Sequence, residues 1–100
     1  VFGSLILGAH TPGGEFVYVG NVGTGFSVPQ RRVLQARLDE IARQTSPFAA
    51  PPRFGPVPAY WVEPGLVATV FYREFTNTLR HPSWAGLRAD RDSRDVGLPD

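Results

Sequence analysis

"GNVGTGFSVPQRRVLQARLDEIAR" (Gly20–Arg43) is the stretch in which the chain changes its period. Before it, apolar residues come in short runs suited to strands. Within it, Leu34, Leu38, Ile41 and Ala42 recur at i, i+4, i+7 and i+8, which is one face of a helix. Ser27 followed by Gln30 has capping-box spacing, and Pro29 suits a first helical turn. The pattern predicts an amphipathic helix of roughly 15 residues, an ordinary globular length. Its other face carries Arg32, Gln35, Asp39 and Arg43, with Asp39 and Arg43 at the pairing distance i, i+4. Pro47 disfavours helical geometry at Ser46 and closes the segment.

Working outward, Phe2–Ala9 and Glu15–Val22 read as two strands of a hairpin, with Thr11–Gly14 ("TPGG") as its turn. In the second strand Val17 and Val19 share one face while Phe16, Tyr18 and Val22 share the other. Large apolar groups on both faces suit a closed or strongly coiled sheet. After the helix, "SPFAAPPRFGPVPA" (Ser46–Ala59) holds five prolines in fourteen residues and must be an extended loop, pinned to the body by Phe48 and Phe54. Tyr60–Val62, Leu66–Thr76 and His81–Arg88 supply three more strands, the first two separated at Glu63-Pro64-Gly65. Five strands with one helix after the second make the inventory of an OB-fold, a mainly β, five-stranded, partly open barrel.

One hundred residues suffice for one small core, so any extended catalytic apparatus lies outside this chain. The chain opens on "VFGSLILG" without Met and shows neither a signal-peptide pattern nor a membrane-spanning run, so it is expected to be a soluble piece of a larger protein. Cysteine is absent, which excludes thiolate chemistry and is compatible with a reducing cytoplasm. His10 and His81 have no partner at ligand spacing, and no metal site is expected. All ten cations are arginine. Residues 1–87 hold seven Arg against five acids, and residues 88–100 three Arg against four Asp, a mildly basic body with a slightly acidic tail. Arginine suits bidentate phosphate recognition, though a codon bias would give the same composition.

Two stretches bear on chemistry. The glycines of "GNVGTGFS" (Gly20–Ser27) let backbone N–H groups approach an anion at a helix N-terminus, but they serve equally a tight strand-to-helix connection. "LRHPSWAGLRADRD" (Leu79–Asp92) places Arg88, Asp90 and Arg91 where the last strand meets solvent. Trp61, Trp84, Tyr60, Phe71, Tyr72 and Phe75 read as packing groups before they read as base-stacking platforms. His81 has no group to orient it for proton transfer and is read as structural.

Taken together, "FGSLILG", "YVGNVGTGF", "TSPF", "WVEPGLVATVFYREFT" and "LRHPSWAGLRADRD" resemble the C-terminal oligonucleotide-binding domain of bacterial ATP-dependent DNA ligases, nearest to the C- and D-type repair and end-joining enzymes. The resemblance runs from about Phe2 to Asp92, leaving residues 93–100 as a charged tail. It implies an upstream adenylation domain of the same chain carrying a Lys-x-Asp-Gly nucleophile, which this lysine-free segment lacks. It also implies ATP and Mg2+ (or Mn2+) as cofactors of the parent, bound mainly by that domain, and nicked double-stranded DNA as partner. The family's Arg-x-Asp-Lys element matches Arg88, Ala89, Asp90 and Arg91, with Arg91 in place of the lysine. Its implied catalytic role is to orient the β and γ phosphates of ATP while the lysine is adenylylated, with Asp90 orienting the arginines. Candidate DNA contacts are Gly23, Thr24, Gly25, Phe26, Arg31, Arg32, Arg53, Arg73 and Arg80. The alternatives are a stand-alone OB-type binder of nucleic acid, or the OB domain of an RNA ligase or capping-type nucleotidyltransferase.

Overall fold

A computed structural model describes residues 2–50 and 59–99. Arg53 and Phe54, named above as a DNA contact and a loop anchor, lie outside the described residues. The elements in chain order are β1 (Leu5–His10), β2 (Phe16–Val22), α1 (Val28–Asp39), β3 (Ala42–Arg43), β4 (Trp61–Val62), β5 (Ala68–Phe71), β6 (Glu74–Phe75), β7 (Leu79–Arg80) and β8 (Ser83–Leu87), followed by a 3-10 turn at Ser93–Asp95. Among the described residues the fold is mainly β with a single α-helix, the OB-type arrangement the sequence predicts.

Among the described residues the strands form four two-stranded antiparallel ladders, β1–β2, β3–β4, β5–β8 and β6–β7. They meet through the core side chains and a few hydrogen bonds. Trp84 N donates to Thr24 O at 2.9 Å, joining β8 to the end of β2, and the α-carbon of Gly20 faces the Leu79 backbone of β7. The predicted strand Leu66–Thr76 is thus divided into β5 and β6, and β7 is an additional short strand. At the turn into β8, His81 adopts a left-handed conformation with φ 54°.

The first hairpin turns as its sequence predicts: Gly14 N donates to Thr11 O at 2.9 Å, Thr11 N to Glu15 O at 2.8 Å, and Gly14 takes φ 89°. The distribution of faces along β2 differs from the expected one. Leu5, Leu7 and Ala9 pair with Val22, Gly20 and Val17, and the register shifts between Leu7 and Gly8. Val19 is the extra residue of a β-bulge, and one extra residue reverses the side to which everything beyond it points. Val22 therefore lies inside with Val17 and Val19, fully buried at 0% exposure, rather than outside with Phe16 and Tyr18.

Two clusters make the core. Ala9, Val19 and Leu79 form one, with Val17, Phe75 and Val96 packed on it. Val22, Leu34 and Trp84 form the other, joined by Phe2, Leu5, Phe26 and Leu38, and Leu7 and Val70 belong to both. On the opposite face of the β1–β2 ladder the Phe48 ring stacks on Phe16 with centroids 4.9 Å apart and meets Trp61 edge-on at 5.8 Å.

The helix begins as predicted. Gln30 N donates to Ser27 Oγ at 3.2 Å and Ser27 N donates to Gln30 Oε1 at 2.8 Å, a complete capping box. It has 12 residues rather than roughly 15. Beyond Asp39 the chain is drawn into a β pairing, Ala42 with Val62 and Arg43 with Trp61, and Glu63 N donates to Ile41 O at 2.7 Å. The expected Asp39–Arg43 pair accordingly does not form. Arg43 bonds Glu63 at 3.0 Å, and Asp39 accepts from Gln35 Nε2 at 2.8 Å.

Candidate nucleotide and DNA interface

Arg88 ends the last ladder, its backbone N–H donating to Val67 O at 2.7 Å. Its side chain folds onto the residue two ahead: Nε donates to Asp90 Oδ1 and Nη2 to Oδ2, both at 2.9 Å, while Nη1 reaches Thr69 Oγ1 at 3.4 Å. These hydrogen bonds hold the Asp90 carboxyl down at about 2, and the paired carboxylate raises the Arg88 guanidinium in turn. Arg91 is exposed and has no hydrogen-bonding or ionic partner among the described residues. Its charge also favours ionised Asp90, as a smaller contribution. Of the three residues, Arg88 and Asp90 neutralise each other and Arg91 keeps its donors available to an external anion.

Gly23–Phe26, between β2 and α1, is fastened to β8. Beside the Trp84–Thr24 bond, Thr24 Oγ1 donates to Pro82 O at 3.4 Å, and the Phe26 ring stacks on Trp84 at 4.8 Å. Gly25 has φ 93°, and a Cβ there would stand 2.5 Å from Trp84 O. The glycine answers a backbone crossing, a steric demand independent of any ligand. Arg31, considered above as a phosphate contact, is turned inward. Nη1 donates to Phe2 O at 2.9 Å and Gly3 O at 3.0 Å, Nη2 to Gly23 O at 2.9 Å, and the guanidinium lies 5.4 and 5.0 Å from the centroids of Phe2 and Phe26.

The other arginines divide differently. Arg80 is paired loosely with Glu74 at 3.6 Å. Arg32, on the outer face of α1, and Arg73, before β6, are exposed and without side-chain partners among the described residues. The packing role expected for the six aromatics holds for Trp84 in the core, for Phe75 on the Ala9–Val19–Leu79 cluster and for Trp61 against Phe48, whereas Tyr60 and Phe71 are 90% and 68% exposed and Tyr72 is exposed too. Phe71 ends β5, beyond the reach of the core, so its strand-like sequence does not ensure burial. Pro29, Val33, Leu34, Trp84 and Leu87 line a shallow apolar groove between α1 and β8. Among the described residues no three His, Asp or Glu side chains gather as a metal ion would require, and no helix is long and apolar enough to cross a membrane.

The family model described as "ATP dependent DNA ligase C terminal region" matches residues 1–91. The multifunctional non-homologous end joining protein LigD of Mycolicibacterium smegmatis is 40% identical over 97 residues, which cover 94% of this chain and 13% of that protein. Its namesake in Pseudomonas aeruginosa is 33% identical over 99 residues, covering 94% of this chain and 12% of that one. The chain thus spans about an eighth of the length of these relatives. The crystal structure of the ligase domain of M. tuberculosis LigD superposes with a TM-score of 0.79 at 35% identity, over 97% of this chain and 33% of that one. A mycobacterial DNA ligase D complexed with ATP and MES does so with a TM-score of 0.77 at 36% identity, over 94% and 32%.

Proposed function

The chain belongs to the family of C-terminal regions of ATP-dependent DNA ligases, and from that premise we propose that its parent seals nicks in duplex DNA through lysyl-adenylate and DNA-adenylate intermediates. In this reading the upstream domain of the parent supplies the nucleophilic lysine and the carboxylates that hold Mg2+, and the 100-residue chain alone is inactive. The chain contributes in two ways. In the first step it presents Arg91 to the β and γ phosphates of ATP, where positive charge offsets what accumulates on departing pyrophosphate. In the later steps it grips DNA through sequence-independent backbone contacts, as a nick sealer requires. The work is cytoplasmic.

The observation that carries the reading is the division of labour at the end of β8, where Arg88 is committed to Asp90 and Arg91 is unpartnered. A guanidinium held by one carboxylate gives a rigid base from which its free neighbour can meet a polyphosphate. The apolar groove between α1 and β8 suits contact with the upstream domain when the two close over ATP. For DNA, Arg32 and Arg73 remain available, whereas Arg31 serves the fold. Family membership favours this reading over a stand-alone single-strand binder.

The experiment uses the parent ligase with Arg88→Ala and Arg91→Ala, assayed separately for lysyl-adenylate formation from labelled ATP and for sealing of a pre-adenylylated nick. A fall in adenylylation of about a hundredfold or more with sealing retained supports the assignment, since loss of one charge-stabilising group costs that much. Retention of both activities removes it.

A further inference from the structure

Val96 and Gly97, beyond the last strand, are built into the fold. His10, at the end of β1, donates its backbone N–H to Val96 O at 2.8 Å, its ring Nδ1 lies 3.3 Å from the same oxygen, and His10 and Gly97 form a parallel bridge. The Val96 side chain packs on Ala9, Val19 and Leu79. Between this anchor and the last rung of the β5–β8 ladder at Arg88 run the seven residues Ala89–Asp95, and Arg91 lies among them. The run is stiffened within: Arg94 N donates to Asp92 Oδ1 at 2.9 Å, Arg94 and Asp92 pair at 2.8 Å, and Asp95 N donates to Asp92 O at 3.0 Å.

We propose that Val96 is a positioning residue: docked under His10, it forms a strap that fixes the far end of the Ala89–Asp95 loop and so sets where Arg91 stands. The inference rests on the proposed role of Arg91 in orienting ATP phosphates. A loop held at one end spreads its crest over many positions, whereas one held at both ends does not, and closing so short a loop costs little. Misplacing a catalytic group by about 1 Å costs up to about a hundredfold in rate.

The test compares four forms of the parent ligase: wild type, Arg91→Ala, Val96→Asp and Val96→Ile. Each is assayed for adenylylation from ATP and for sealing of a pre-adenylylated nick. Val96→Asp is expected to slow adenylylation about ten- to a hundredfold, with sealing held within about twofold and Val96→Ile restoring the wild-type rate. If Arg91→Ala abolishes adenylylation while Val96→Asp leaves it intact, the strap is overturned and the ligase reading stands. If Val96→Asp depresses both steps alike, Val96 is a core residue only and the proposal also fails. If Arg91→Ala leaves adenylylation unchanged, the role of Arg91 is itself wrong and the strap falls with it. A second variant that ends at Asp92 removes the anchor without placing a charge in the core, and wild-type adenylylation in that form equally overturns the proposal.

Discussion

Arg88 closes a two-point fork on Asp90, each oxygen 2.9 Å from its donor. The fork holds the Asp90 carboxyl at about 2, against an ordinary value of 3.8. Because the folded value is depressed, the contribution of the pair is complete above 3.8 and is lost as pH falls through about 2. Ionisation of Asp90 therefore adds no step to a ligase pH profile in the neutral range. A carboxyl-detected NMR titration of the chain should place the Asp90 midpoint near 2, and a midpoint near 3.8 would show the fork to be open in solution.

Gly25→Ala should be costly. The added Cβ would meet both Trp84 O at 2.5 Å and Trp84 N at 2.8 Å, at a φ of 93° that side chains rarely adopt. Backbone strain and the lost Trp84–Thr24 bond together predict about 3 kcal/mol of destabilisation in urea titrations. Gly65→Ala is the control, because nothing lies within 4 Å of its Cβ position, and it should change stability by less than about 0.5 kcal/mol. Equal effects at the two positions would contradict the crossing of Gly23–Phe26 over β8.

Arg31 and Arg32 are adjacent in sequence and opposite in consequence. Arg31→Ala leaves the carbonyls of Phe2, Gly3 and Gly23 without their donor and should cost about 2–3 kcal/mol of stability. Arg31→Lys should recover little, since an ammonium cannot reproduce the planar fork packed over two rings. Arg32→Ala should leave stability unchanged. In nicked-DNA binding by the parent it should lower the salt slope by about one, the loss of one phosphate contact. A stable Arg31→Ala domain with a reduced salt slope would exchange the two roles.

The structural role of Arg31 is not legible in the sequence because its partners are main-chain carbonyls, which leave no mark in the residue pattern. Local signals were more legible. The Ser27–Gln30 box and the "TPGG" turn are short-range chemistry, and both stand as predicted. The spacing predicts too long a helix because Ile41 and Ala42 continue the apolar pattern, and only the long-range pairing of Ala42 and Arg43 with Val62 and Trp61 draws the chain into a sheet. Period-2 counting puts Val22 on the outer face because it assumes an unbroken strand, and the bulge at Val19 is fixed by its partner strand. The Val96 anchor has one faint signal, a β-branched apolar residue in a polar tail.

The outer face of the β1–β2 ladder offers a last prediction. Phe48 is buried there by three rings: stacked on Phe16 at an interplanar angle of 5°, and edge-on to Tyr18 and Trp61. Ala49 N donates to Phe16 O at 2.9 Å, fixing the segment that carries the ring. The ring lies close over Gly8, where a Cβ would come within 2.7 Å of Phe48 Cε1. Phe48→Ala should therefore cost about 3–5 kcal/mol, the range for a buried phenylalanine, and Phe48→Leu less. Because Phe48 contacts Trp61 and not the core residue Trp84, the mutation should alter fluorescence through Trp61, so a Trp61→Phe background should abolish the spectral change while keeping the loss of stability. If Phe48→Ala is as stable as wild type, the ring does not cover this face, and the descent from α1 through Ser46 and Pro47 is held by something other than aromatic packing.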